Sequence, residues 1–94
     1  MSTLSKNEIE QELKNLSGWT FEEDKISKEF EFENFKEAMA FMVKVGFEAE
    51  DQAHHPEWKN VYNKVSISLS THDAGGKITE KDIRLAKAIE GVAN

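Results

Sequence analysis

In residues 64–71, Val65, Ile67 and Leu69 alternate with Ser66, Ser68 and Ser70. Successive side chains of a strand point to opposite faces, so this segment has one apolar face and one hydroxylated face. A strand of that kind belongs to a sheet covered on one side only, which is the habit of antiparallel sheets, and its apolar face must be buried by other parts of the chain.

The rest of the sequence supplies that cover. Ser5 followed by Glu8 has capping-box spacing, and Ile9, Leu13 and Leu16 recur at helical intervals until Gly18, which predicts a first helix. Residues 19–22 and 26–33 then read as a hairpin turning at Glu23 and Asp24, with Ile26, Phe30 and Phe32 on one face against Glu29, Glu31 and Glu33. Asn34 and Glu37 open a second helix whose core stripe is expected to be Phe35, Ala38, Met39, Met42, Val45, Gly46 and Ala49. Phe41, Val43 and Phe47 lie off that stripe and suggest either a wide core face or a subunit interface. Residues 58–61 and 64–71 form a second hairpin, and Thr79 with Asp82 opens a third helix carrying Ile83, Leu85, Ala86, Ala88, Ile89 and Val92. The expectation is a single α+β domain spanning residues 1–94, in the order helix, strand, strand, helix, strand, strand, helix, with a four-stranded antiparallel sheet and three helices on its apolar face.

Composition narrows the functional classes. A net charge of -6 with scattered basic residues argues against binding a phosphate backbone, so no direct nucleic-acid contact is expected. The absence of cysteine excludes disulfides, thiolate nucleophiles and cysteine-based zinc sites. Residues 1–13 carry Lys6, Glu8, Glu10 and Glu12 and no apolar run, so neither a secretory leader nor a membrane span is expected there and the cytoplasm is the expected location. A core of this size gains from further burial between subunits, which makes self-association an expectation.

Three histidines remain as candidates for chemistry: His54 and His55 after the second helix, and His72 just past the last strand. All three fall at element ends, where functional groups held by a rigid scaffold are common. By strand parity His72 belongs with the serines rather than with the core side chains, so it is either a solvated strand end or a neighbour of the His54 and His55 loop. Glu50 and Asp51 lie close enough in sequence to raise the question of a metal site, but neither a helical His-x-x-x-His pair nor a strand His-x-His pair is present, and no metal is expected. Imidazoles change charge near neutral pH, which suits one of them to give a proton while another takes one.

The run Glu50-Asp51-Gln52-Ala53-His54-His55-Pro56-Glu57-Trp58, followed by Tyr62, by Ser70-Thr71-His72 and by Asp82, resembles the signature of the pterin-4a-carbinolamine dehydratases, and the likeness extends over essentially the whole chain. The resemblance implies the same helix-and-sheet fold and the same activity: dehydration of the 4a-hydroxytetrahydropterin left by aromatic amino acid hydroxylases, giving quinonoid dihydropterin for recycling, with no cofactor. It implies that His54 and His72 act as the acid/base pair, that His55 mainly binds the pterin, and that Glu50, Trp58, Thr71 and Asp82 belong to the substrate site. It also implies a homodimer or homotetramer.

Most of these positions also have purely structural explanations. Trp58 and Trp19 suit a core or a pocket wall, Tyr62 a hairpin, Thr71 a strand end, and Asp82 the cap of the third helix. Glu50 is different, because a carboxylate near the end of a helix opposes the helix dipole, and such a position supports a role. Some relatives carry Asp immediately before the histidine pair, where this chain has Ala53, leaving Asp51 or water to orient His54. The loop 73–78 is a variable stretch whose contacts cannot be carried over. Two non-enzymatic readings compete: a dimerisation cofactor of a transcription factor, and a regulatory partner of a hydroxylase with vestigial histidines. The intact histidine trio argues against the latter.

Overall fold

The computed structural model describes residues 2–94; Met1, the first residue of the segment 1–13 considered above, lies outside them. Helix α1 (Lys6–Leu13) begins with the expected capping box, in which the Glu8 amide donates to Ser5 Oγ at 3.1 Å and the Ser5 amide donates to Glu8 Oε1 at 2.8 Å. Strands β1 (Thr20–Glu22) and β2 (Lys25–Glu31) follow, then α2 (Phe35–Asp51), β3 (Glu57–Val61), β4 (Lys64–Leu69) and α3 (Glu80–Ala93). The sheet is antiparallel throughout, in spatial order β1-β2-β4-β3, so the serine-bearing strand is central and β3 is an edge.

Register fixes the two faces. Ile26 pairs with Leu69 and Phe30 with Val65 on the helix side, while Ser27 pairs with Ser68 and Glu29 with Ser66 on the open side. Ile26, Val65, Ile67 and Leu69 are all fully enclosed with Ile83, Leu85 and Ile89 of α3, which makes one continuous core beneath the helices. Trp19 belongs to that core rather than to a pocket wall, and its indole N–H donates to Glu90 of α3 at 2.9 Å.

Helix α2 departs from the expected stripe. Its buried residues are Ala38, Phe41, Val45 and Ala49, so Phe41 is a core side chain at 5% exposure, tilted against Phe30 and Phe32. Phe35 and Met39, expected in the core, are 44% and 42% exposed. They line up with Val43 and Phe47 at four-residue spacing into an apolar ridge facing away from the core. The helix is apolar over so wide an arc that more than one stripe fits its sequence, and the aromatic contacts from β2 decide which one faces inward.

Strand β4 also ends earlier than expected. Pairing stops at Leu69, Thr71 makes an isolated bridge to Lys77, and His72–Ala74 form a single 3-10 turn closed by Gly75 in the left-handed region, φ 74°. No helix among the described residues is long and apolar enough to cross a membrane.

Candidate active site

Two helix ends build the site. Helix α2 stops in a left-handed turn at Ala53, φ 51°, where the Ala53 amide donates to the Glu50 carbonyl at 3.1 Å and the His54 amide to the Ala49 carbonyl at 3.0 Å. These two bonds make up a Schellman motif with Ala at the position usually given to Gly. The turn sends consecutive side chains opposite ways: His54 is 7% exposed, whereas the His55 side chain is 64% exposed.

Helix α3 supplies the second end. Thr79 and Asp82 close the expected capping box, with the Thr79 amide donating to Asp82 Oδ2 at 2.9 Å. The same carboxylate reaches further, because Oδ2 also accepts from Thr71 Oγ1 at 2.8 Å and Oδ1 lies 2.6 Å from His54 Nε2. Thr71 therefore gives its one hydroxyl proton to Asp82, and the 2.7 Å contact between Thr71 Oγ1 and Thr79 Oγ1 is donated by Thr79. The carboxylate of Asp82 is completely enclosed, so cap, strand end and histidine are tied into one buried network.

This network decides what His54 can do. A carboxylate beside Nε2 favours the tautomer with its proton there, which leaves the lone pair on Nδ1 as the group with chemistry to offer. The carboxylate that orients His54 thus comes from Asp82, not from Asp51 or from a residue at position 53.

His54, His55 and His72 line one cleft of about 220 Å³, together with Ser70, Thr71 and Lys81. A neighbouring cleft of about 210 Å³ shares His55, Ser70 and His72 with it and continues past Pro56, Glu57 and Ser68 onto the open face of the sheet. Among the described residues the His72 ring has no hydrogen-bond partner, while His55 Nε2 pairs with Glu50 Oε1 at 2.8 Å on the surface. The histidine trio expected to converge does converge. Glu50 reaches the site through His55, and Thr71 lines the cleft. Asp82 is completely enclosed and reaches the cleft through its hydrogen bonds to His54 and Thr71. Trp58 lies apart, its indole beside Gly46 of α2. Among the described residues no three His, Asp or Glu side chains are placed to share a metal ion.

Lys81 is a cleft residue that the sequence reading passed over, and Ser70, which entered it only within the signature and the serine face, lines the cleft as well. Lys81 sits in the first turn of α3, where a cation opposes the helix dipole as Glu50 does in the last turn of α2. The signal used for Glu50 was therefore available for Lys81 as well.

Known proteins share this sequence and this fold. The family model for pterin 4 alpha carbinolamine dehydratase matches residues 2–92. A protein of Christiangramia forsetii, provisionally named a pterin-4-alpha-carbinolamine dehydratase, is 54% identical over 92 residues, covering 98% of this chain and 94% of its own. One from Opitutus terrae with the same provisional name is 50% identical over 90 residues, covering 96% and 93%. Among solved structures, a transcriptional coactivator/pterin dehydratase from Brucella melitensis superposes with a TM-score of 0.94 at 35% identity, covering 99% of this chain and all of its own. A pterin dehydratase-like RuBisCO assembly factor of the alpha-carboxysome shares the fold at a TM-score of 0.67 and 18% identity, over 81% of this chain and 87% of its own.

Proposed function

Because the chain belongs to the pterin-4a-carbinolamine dehydratase family, we propose that it dehydrates a 4a-hydroxytetrahydropterin to quinonoid dihydropterin and water by histidine acid/base catalysis, without a cofactor, in tetrahydrobiopterin recycling. The observation that carries this reading is the single cleft lined by His54, His55 and His72, with His54 anchored by a buried carboxylate.

The reaction breaks the bond between the bridgehead carbon and its hydroxyl, and a carbon–nitrogen double bond forms as the adjacent ring nitrogen loses its proton. Hydroxide is a poor leaving group, so a protonated imidazole delivering its proton to that oxygen lowers the barrier while a second imidazole takes the nitrogen proton. His54 suits the base. Its lone pair is on Nδ1, and the positive charge it gains is stabilised by Asp82 at 2.6 Å. His72, with no protein partner for its ring, is free to carry the proton to the leaving oxygen and to exchange it with solvent. His55, paired with Glu50 at the rim, holds the pterin, and Asp82 is a positioning residue acting through His54.

The test uses single alanine variants with turnover and melting temperature measured on each. His54→Ala and His72→Ala are each expected to lose roughly a hundred-fold or more in kcat, about 3 kcal/mol of transition-state stabilisation, with the fold retained. His55→Ala is expected to raise KM. Near-normal turnover in all three overturns the mechanism, and loss of kcat only in His55→Ala reverses the roles.

The ridge of Phe35, Met39, Val43 and Phe47 supports self-association as a dimer or tetramer, since monomers seldom leave so continuous an apolar strip in water. The same ridge suits the second reading, a protein partner such as a hydroxylase or transcription factor, which the coactivator name of the Brucella melitensis neighbour brings to mind.

A further inference from the structure

Resting on the dehydratase reading, we propose that Asp24, at the tip of the first hairpin, is a positioning residue that acts through Lys77 to hold the turn carrying His72. The turn is thin. His72–Ala74 form one 3-10 turn, followed by Gly75 and Gly76 at φ 74° and 79°. Inside it the bonds are backbone bonds, from the Ala74 and Gly76 amides to the Thr71 carbonyl at 3.0 and 3.1 Å and from the Gly75 amide to the His72 carbonyl at 3.0 Å. The place of the His72 ring is therefore set by the two legs of the loop. These are Thr71 and Lys77, joined where the Thr71 amide donates to the Lys77 carbonyl at 2.8 Å.

Each leg is tied down separately. The Thr71 hydroxyl enters the buried Asp82 network, whereas the Lys77 ammonium donates to Asp24 Oδ2 at 2.8 Å on the surface. Asp24 reaches it from a two-residue turn between the paired Glu22 and Lys25, in which Glu23 and Asp24 both take the left-handed region, φ 53° and 62°. That turn suits the twist of a hairpin, but it is usually built with Gly at one of the two positions, and two residues with side chains there carry strain. Such strain persists where surrounding contacts fix the conformation, and the ion pair to Lys77 is one of them. Both partners are about half exposed, so the pair is worth at most about five-fold in an equilibrium and is weakened by salt. A factor of that size matters little to a whole core and much to a short loop held at its base.

The test reads the loop and the reaction separately on the purified full chain. Asp24→Asn removes one charge while keeping a residue that tolerates the left-handed region, and Lys77→Met removes the other. Amide hydrogen exchange at Gly75 and Gly76 is expected to quicken about three- to five-fold in each variant, to quicken no further in the double variant, and to return to the wild-type rate in Lys77→Arg. Wild type in about 1 M salt should approach the variants. Dehydration of a 4a-hydroxytetrahydropterin should show kcat lowered about two- to four-fold in Asp24→Asn and Lys77→Met, with KM unchanged and kcat restored in Lys77→Arg. Lys87→Met, which breaks the exposed pair between Lys87 of α3 and Glu12 of α1, is the control and should change neither the exchange nor kcat. Quickened exchange with an unchanged kcat, or no change in either, overturns the positioning role and leaves the dehydratase reading standing. A wild type that dehydrates no such pterin overturns both.

Discussion

Replacing Asp82 with Asn separates its two duties, because the amide is nearly isosteric with the carboxylate but offers one acceptor and one donor in place of two acceptors. Three donors converge on the wild-type group: His54 Nε2 at 2.6 Å, Thr71 Oγ1 at 2.8 Å and the Thr79 amide at 2.9 Å. If the amide oxygen faces His54, its NH2 meets the Thr79 N–H and leaves a buried donor unpaired, at a cost of about 1–3 kcal/mol. If the oxygen faces Thr71 and Thr79, both keep an acceptor and the NH2 points at His54 Nε2. The second arrangement preserves more bonds and should win. It obliges Nε2 to accept, and the ring proton moves to Nδ1, the nitrogen that has to be free as the base.

Asp82→Asn is therefore expected to cost about 1–2 kcal/mol of stability, a fall of roughly 5–15 °C in melting temperature for a domain this small. Turnover should drop at least a hundred-fold, the usual worth of a general base. Thr79→Ala is the control: it removes the capping hydroxyl, about 1 kcal/mol, without touching the contact between Asp82 and His54. Its turnover per folded molecule should stay within about two-fold of wild type. Nitrogen chemical shifts of the His54 ring report the tautomer directly, and should exchange between Nδ1 and Nε2 in Asp82→Asn only. An Asp82→Asn protein that melts early like Thr79→Ala yet keeps its turnover and its tautomer would show that Asp82 is a cap and nothing more.

Further expectations concern the two faces of α2, the turn before His54 and metal dependence. Phe41→Ala should cost about 3–5 kcal/mol by opening a cavity in the aromatic cluster, whereas Phe47→Glu should leave protomer stability within about 0.5 kcal/mol and lower the sedimentation coefficient; a monomeric wild type refutes the ridge as an interface. Ala53→Gly relieves the left-handed strain and should melt no earlier than wild type, while Ala53→Val should lose at least about 1 kcal/mol, so equal losses in both would mean that the turn is not a source of strain. Activity should survive exhaustive chelation, and a loss restored by one metal ion would overturn the cofactor-free mechanism.

The fold was legible because its signals are local. Ser5 with Glu8, Thr79 with Asp82, and the serine alternation in β4 each act within a few residues, and the structure realises all three. What the sequence could not rank was the apolar arc of α2, where Phe41 and Met39 are equally hydrophobic and only the position of Phe30 and Phe32 across the interface assigns one to the core and the other to solvent. The convergence of the histidines was legible in outline, since element ends at one edge of a sheet tend to meet. The partner of His54 was not: Asp82 is 28 residues away, and its carboxylate already had a sufficient explanation as a helix cap. A residue whose local role is complete gives no sign of a second, long-range one in its own spacing; the resemblance put Asp82 in the site without naming His54 as its partner.

That double use follows from where the site is built. The Schellman turn at the end of α2 is closed by the His54 amide, and the capping box at the start of α3 makes Asp82 part of the opposite helix end, so the bond between them joins two helix termini as well as two functional groups. Each terminus has backbone groups that must be satisfied in any case, and doing so fixes the backbone on both sides of the contact. The imidazole is thereby positioned by secondary structure rather than by a mobile loop, which is the condition for a base to meet its proton without reorganisation. Stability and catalysis are therefore coupled at this contact, and substitutions that break the bond between Asp82 and His54 should reduce turnover even when all three histidines are intact. His72 is held differently, on a single 3-10 turn beside two glycines, and in the proposed mechanism it is the acid that exchanges its proton with solvent each cycle. On that mechanism the site pairs a base set between two helix ends with an acid on a single 3-10 turn, matching the fixed and the renewable halves of a two-proton reaction.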